Sequence, residues 1–239
     1  MKSILLEQLA ISPPQVLLDS KVGRELREIT AHFKPQASVD TCYSVGIYNI
    51  LQNLALRTDN EDIALSEAKV NKVCRVKEYA AEQPEIVVDN LNQAISKHGY
   101  RAHEDRKTTT DHLKRVLEDQ TCSYPLIALS YRYLQVEHRV DFPRPNPLDN
   151  PDHVVVVLMV DASTDRMAFY DPYFGFYAPT SRDVGYGRGV VVKPVVRMLD
   201  DYWDSAYDKS WMFWVKWDKS KTTRLTSYVG EPQKGATSA

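Results

Sequence analysis

The apolar residues of this chain change their spacing near its middle, and that change restricts what it can fold into. In the first half they recur at helical intervals: Val45, Tyr48, Leu51, Leu54 and Ala55 approximate one stripe between Cys42 and Leu56, and Val87, Leu91, Ala94 and Ile95 another that stops at Gly99. From Tyr124 onward they come as extended runs, 124–131, 153–160, 167–170, 189–193 and the aromatic segment Trp211-Met-Phe-Trp-Val-Lys-Trp217. Helices first and strands later, without regular alternation, predict an α+β fold of two layers and not a doubly wound parallel sheet. Shorter helices are expected at about 19–32, 110–118 and 195–203, and the sheet is expected to begin at Tyr124.

The chain has 239 residues, and its 30 basic and 32 acidic side chains leave a formal charge of -2 with no Lys/Arg block. That balance lacks the electrostatic footprint of a nucleic-acid binder. Glu7 interrupts the brief apolar start well short of a signal-peptide core, and no stretch reaches membrane-spanning length, so neither export nor a membrane partner is expected. Cys42, Cys74 and Cys122 are odd in number and unpatterned, which fits free thiols in a reducing, cytoplasmic setting. Three parts are expected: an N-terminal arm over 1–33, a main domain over 34–218, and a polar tail over 219–239.

Cys42 carries the clearest chemical signal. It opens the first strong helix, with Asp40 or Thr41 available as N-cap, and Gln36 stands six residues before it. The first turn of a helix supplies unpaired amides and the positive end of the dipole, which favour a thiolate over a thiol. His153 opens one extended run and Asp171 closes the next, with the short connection 161–165 between them. A hairpin pairing Val160 with Arg166 would set His153 opposite Tyr173 and two positions diagonally from Asp171, on the same sheet face; a slip of one residue would separate them. In this arrangement Cys42 is the nucleophile, His153 the general base and acid, and Asp171 the group that orients the imidazole. The Gln36 amide and the Cys42 backbone N–H would serve the oxyanion.

Each of these residues also has an ordinary structural reading. A cysteine near a helix start is more often packing than a nucleophile, and Asp before Pro is a common turn signal. Order and local context together favour the catalytic reading. Cys74 and Cys122 lack that context and read as core filling. No Cys/His pair has zinc-ligand spacing, and no metal or cofactor is called for. The Pro-rich stretch 135–152 reads as an irregular loop in which His138 is a solvated residue, and Gly185-Tyr-Gly187-Arg-Gly189 as a turn and not a phosphate cradle.

The series Gln36, Cys42, His153 and Asp171-Pro172 resembles the papain-like cysteine peptidases, most closely the branch that holds the bacteriocin-leader (double-glycine) peptidases and their free-standing relatives. The resemblance covers about 34–175 and implies a papain-like fold, with a helical part carrying the Cys packed on an antiparallel sheet carrying His and Asp. It departs at Tyr43, where many members have Gly, and in the long loop before His153. The expected activity is a thiol peptidase or isopeptidase acting on a peptide or protein. Acyl transfer or deamidation by the same residues is the enzymatic alternative, and a binding module with a vestigial site the non-enzymatic one.

Overall fold

The computed structural model describes residues 21–38, 41–76, 83–130, 132–138, 152–161, 163, 165–173, 189–203 and 209–220. Among the described residues four α-helices come first: α1 (Lys21–Thr30), α2 (Cys42–Thr58), α3 (Glu67–Cys74) and α4 (Pro84–Ile95). Their ends obey local chemistry. Ser66 caps α3 by accepting from the Lys69 N–H. Pro84 stands in the first turn of α4, and α4 passes through a 3-10 turn, Ser96–His98, to Gly99, whose φ of 84° gives the left-handed exit glycine adopts without strain. After β1 (Tyr100–Asp105), helix α5 (Thr110–Glu118) is capped by Thr109.

Strands then dominate: β2 (Leu126–Leu129), β3 (His153–Asp161), β4 (Arg166–Tyr170), β5 (Val190–Lys193) and β6 (Met212–Trp217). Between them lie α6 (Arg132–His138) and α7 (Val195–Met198), the latter continued by a π turn, Leu199–Trp203. The six strands of the described residues form one antiparallel sheet in the order β1-β6-β2-β3-β4-β5. The predicted α+β character therefore holds. The sheet does not begin at Tyr124: β1 precedes it and pairs with β6 along its full length, a pairing of distant segments that no local pattern announces.

The sheet is covered on both faces, which corrects the two-layer expectation. Val154, Val156 and Leu158 join one apolar cluster with Ile47, Ile50, Leu51 and Leu54 of α2, and with Val87 and Leu91 of α4. Val155 and Val157 point the other way, into a cluster with Leu113 of α5, Tyr133 of α6 and Met198 of α7. Alternate residues of a strand face opposite sides, so a half-exposed strand alternates apolar with polar. The unbroken valines of β3 instead belong to a strand buried twice, and fully burying a valine stabilises by roughly 1.5 kcal/mol or more. Gly46 lets α2 come close, since a Cβ there would stand 3.1 Å from a Leu126 methyl.

The hairpin of β3 and β4 corrects a second expectation. Val160 lies opposite Met167, not Arg166, and Asp161 takes Arg166. A register shift between Val157 and Met159 then brings Val157 opposite Phe169 and Val156 opposite Tyr170. Leu158 is the extra residue of this bulge, so the pairing near the turn is offset by one and the pairing toward His153 is the one the predicted register required.

The predicted helix over 110–118 and the last strand over 211–217 lie where expected. Helix α6 takes residues 132–138 and so replaces the start of the stretch 135–152 that was read as an irregular loop. The remaining Pro-rich residues 139–151, the arm residues 1–20, the capping candidate Asp40, the turn residues 185–188 and the tail residues 221–239 lie outside the described residues.

Candidate active site

Cys42 is the first residue of α2 and is partly exposed. Thr41 occupies the N-cap position without capping through its side chain; its hydroxyl is turned back to Ser38, accepting from the Ser38 N–H at 3.4 Å and donating to the Ser38 carbonyl at 2.9 Å. The leading amides of α2 thus keep donors that a side-chain cap would have used. The loop before the helix is held from two directions. Asn49, fully buried on α2, donates to the Lys34 carbonyl at 3.0 Å and accepts from the Lys34 N–H at 2.7 Å. The Gln36 N–H donates to the Pro172 carbonyl at 2.8 Å. Residues 34–36 are therefore fastened both to the Cys42 helix and to the turn that follows Asp171.

His153 and Asp171 meet directly. Imidazole Nε2 lies 2.7 Å from Asp171 Oδ1, and the two residues are 2% and 0% exposed. The other ring nitrogen, Nδ1, is not engaged by Asp171, and Cys42 is the next group that acts on the imidazole. This inverts the nitrogens of the Ser-His-Asp template, where the carboxylate holds Nδ1 and the nucleophile faces Nε2. Burial opposes a charged His153, but the charge and hydrogen bond of Asp171, followed by the hydrogen bond and charge of Cys42, outweigh it and push the imidazole up to about 10. Asp171 has every oxygen engaged: Oδ1 also accepts the Tyr173 N–H at 2.9 Å, and Oδ2 accepts the Tyr133 hydroxyl at 2.8 Å. A buried carboxylate needs such donors to remain charged.

The structure thus brings Cys42, His153 and Asp171 into one connected chain of contacts and attaches Gln36 to it through the backbone. The Gln36 side chain is buried and donates through Nε2 to the Ser38 carbonyl at 2.9 Å, while its Oε1 has no hydrogen-bond partner. A side-chain amide carries two N–H bonds, so one donor remains after that contact. Cys74 and Cys122 do pack in the core; burial pushes the first thiol up to about 12, and burial with the nearby Asp119 charge pushes the second up to about 11. Among the described residues no group of three His, Cys, Asp or Glu side chains is arranged to hold a metal ion, and no helix is long and apolar enough to cross a membrane.

Three residues of the site escaped the sequence reading. Asn49 had a usable signal, since a polar residue among Ile47, Ile50 and Leu51 on a buried face requires a partner. Tyr133 had none, because its partner Asp171 is 38 positions away. Gly189 was read as the end of a turn and the start of a strand, with no link to Asp171. Its carbonyl accepts the Asp171 N–H at 2.9 Å, its φ is 83°, and an added Cβ would come within 2.6 Å of the Tyr170 ring. Tyr170 is buried and packed edge-on against Phe33, with ring centroids 5.1 Å apart, so the ring has little freedom to yield. Gly189→Ala is expected to cost about 1 to 3 kcal/mol of folding free energy from backbone strain, and more from the clash. Urea denaturation measures it, and a midpoint equal to that of the wild type would contradict the account.

No protein-family model matches the chain, and no curated protein matches it.

Proposed function

We propose that this chain is a thiol hydrolase of papain-like type that cleaves a peptide or isopeptide amide through an acyl-enzyme on Cys42. The observation that carries the reading is the buried relay in which Asp171 holds Nε2 of His153 and Cys42 acts on the same imidazole. The thiolate at Cys42 attacks the carbonyl carbon, and the carbonyl π electrons move to oxygen. The oxyanion so formed is met by the Cys42 backbone N–H and the Gln36 amide, each such donor contributing about 2.7 to 4 kcal/mol in known cases. Collapse of the tetrahedral intermediate breaks the C–N bond, and the leaving amine takes the proton from Nδ1 of His153. A water then adds to the thioester while His153 takes its proton, and the acid departs as the thiol is restored. Asp171 keeps the imidazole in the tautomer and plane that both steps use.

An activated acyl donor tests this without knowledge of the natural substrate. With p-nitrophenyl esters of N-acyl amino acids, a stoichiometric burst of nitrophenolate is expected, together with the corresponding acyl mass on the peptide that contains Cys42. His153→Ala should slow the burst by on the order of 10²-fold or more, and Cys42→Ala should remove it. A chain that releases nitrophenolate no faster than its Cys42→Ala variant does not form the proposed acyl-enzyme. Replacing water by an amine acceptor in the same assay shows which nucleophile the thioester prefers.

A further inference from the structure

Tyr133 makes two contacts with the relay that the mechanism above does not use. Its hydroxyl donates to Asp171 Oδ2 at 2.8 Å, and its ring lies parallel to the His153 imidazole, at 3° between planes and 5.9 Å between centroids. The side chain has no solvent exposure. Its own ring is held edge-on by Phe169 of β4 and by Tyr202 of the π turn, at 6.0 Å and 5.6 Å. The start of α6 is fixed as well: the Tyr133 N–H donates to Ser130, and the Ser130 N–H donates to the Tyr202 carbonyl, both at 2.8 Å. A buried tyrosine commonly satisfies its hydroxyl on any nearby acceptor. Here the acceptor is the one carboxylate oxygen that His153 does not engage.

We infer that Tyr133 is a positioning residue for the reaction, setting the plane of the Asp171 carboxylate through its hydroxyl and the plane of the His153 imidazole through its ring. The two actions reinforce each other. A carboxylate turns easily about its Cβ–Cγ bond, and Oδ1 stays aimed at Nε2 because Oδ2 is tied to a hydroxyl on a ring that cannot move. The Tyr173 N–H holds Oδ1 from its own side, so the carboxylate is fixed at both oxygens. An imidazole confined between Tyr133 and the edge-on Tyr173 ring presents Nδ1 in one direction. Among the described residues the groups that face it are the Asp171 carboxylate, the Cys42 thiol and these two tyrosines. A tyrosine hydroxyl is neutral at pH 7, so Tyr133 acts by geometry.

The inference rests on the thiol–imidazole reading of the site, and the test separates the two. Alkylation of Cys42 by iodoacetate, an anionic reagent that reacts fastest while an imidazolium accompanies the thiolate, is followed against pH for the wild type, Tyr133→Phe, Tyr133→Leu and His153→Ala. Far-UV circular dichroism and Tm accompany each profile. Tyr133→Phe keeps the ring and drops the hydroxyl, and is expected to react about tenfold more slowly with the alkaline limb displaced to lower pH, because a carboxylate free to turn supports the imidazolium less well. Tyr133→Leu, which loses both contacts, should react more slowly still. A folded Tyr133→Phe with the wild-type rate and limb, alongside a slowed His153→Ala, overturns the role of the tyrosine and leaves the triad standing. A wild-type profile that His153→Ala does not change overturns both. Should Tyr133→Phe fail to fold, 3-fluorotyrosine at position 133 keeps ring and hydroxyl while strengthening the donor. It is expected to move the low-field proton resonance of His153 Nε2, and a resonance that stays in place defeats the inference.

Discussion

Iodoacetamide at neutral pH is expected to place a single adduct on the protein, at Cys42, and to leave Cys74 and Cys122 unmodified. Reactivity follows thiolate character and access together. Cys42 is partly exposed at the start of α2 with an imidazole against its sulfur, whereas burial pushes Cys74 up to about 12 and burial with the Asp119 charge pushes Cys122 up to about 11. At pH 7 those two thiols are almost wholly protonated as well as shielded. His153→Ala should slow the Cys42 reaction by on the order of 10²-fold, since in the proposed mechanism it removes the group that accepts the thiol proton. Intact mass and peptide mapping give stoichiometry and site, and the initial rate gives the contribution of His153. Equal labelling of all three cysteines in the folded protein would contradict the structural distinction between them.

Asp171→Asn is expected to produce the largest loss of stability of any change in the relay, and the loss should depend on pH in a defined direction. Part of it is constant. An asparagine can keep an oxygen where Oδ1 accepts from His153 and Tyr173, but it puts an N–H where Oδ2 accepts from Tyr133, so the buried Tyr133 hydroxyl must turn round and lose the acceptor of its own proton, at a cost of about 1 to 3 kcal/mol. The remainder titrates with His153. Its folded-state value of about 10 lies above the ordinary 6.5, so the stability gained from pairing is fully present below about 6.5 and is lost as pH rises through about 10. The wild type should therefore lose several kcal/mol between those limits through this group. Without the carboxylate the imidazole loses the largest of the interactions that keep it charged, and the variant should show a smaller decline. Urea denaturation of both proteins at pH 6.5, 8, 9.5 and 10.5 should show the gap between them shrinking as pH rises. A gap that remains constant would mean that the buried pair is not the ionised pair described here, and the sign of the linkage would fail with it.

Much of the local structure was legible because it depends on near neighbours. The helical stripes of α2 and α4, the exit at Gly99 and the capped start of α5 each follow from residues a few positions apart, and each lies close to where spacing placed it. Helix α6 was missed because 132–138 is short, and its buried residues Tyr133 and Leu134 are adjacent and show no helical period. The second layer on the sheet was missed for another reason: four consecutive valines were taken as a generic strand, although only burial on both faces explains a run without polar alternation.

His153 and Asp171 show the division most clearly. Their types, their order and their positions at the ends of two adjacent strands were plain in the chain, and parity alone allowed them to meet. The register assumed at the turn was offset by one, and the bulge at Leu158 restored the pairing that puts both side chains on one face. A bulge depends on how two buried faces pack, which spacing does not encode. Gln36, Cys42, His153 and Asp171 were thus nominated by sequence, because a nucleophile, a base, an orienting acid and an amide donor are recognisable by type and local context. Tertiary structure decided that the imidazole turns Nε2 to the acid, that Asn49 and Pro172 hold the Gln36 loop, and that Tyr133 and Gly189 secure Asp171. Each of those depends on hydrogen bonds or ring contacts between residues more than a dozen positions apart, and such contacts exist only once the chain has closed on itself.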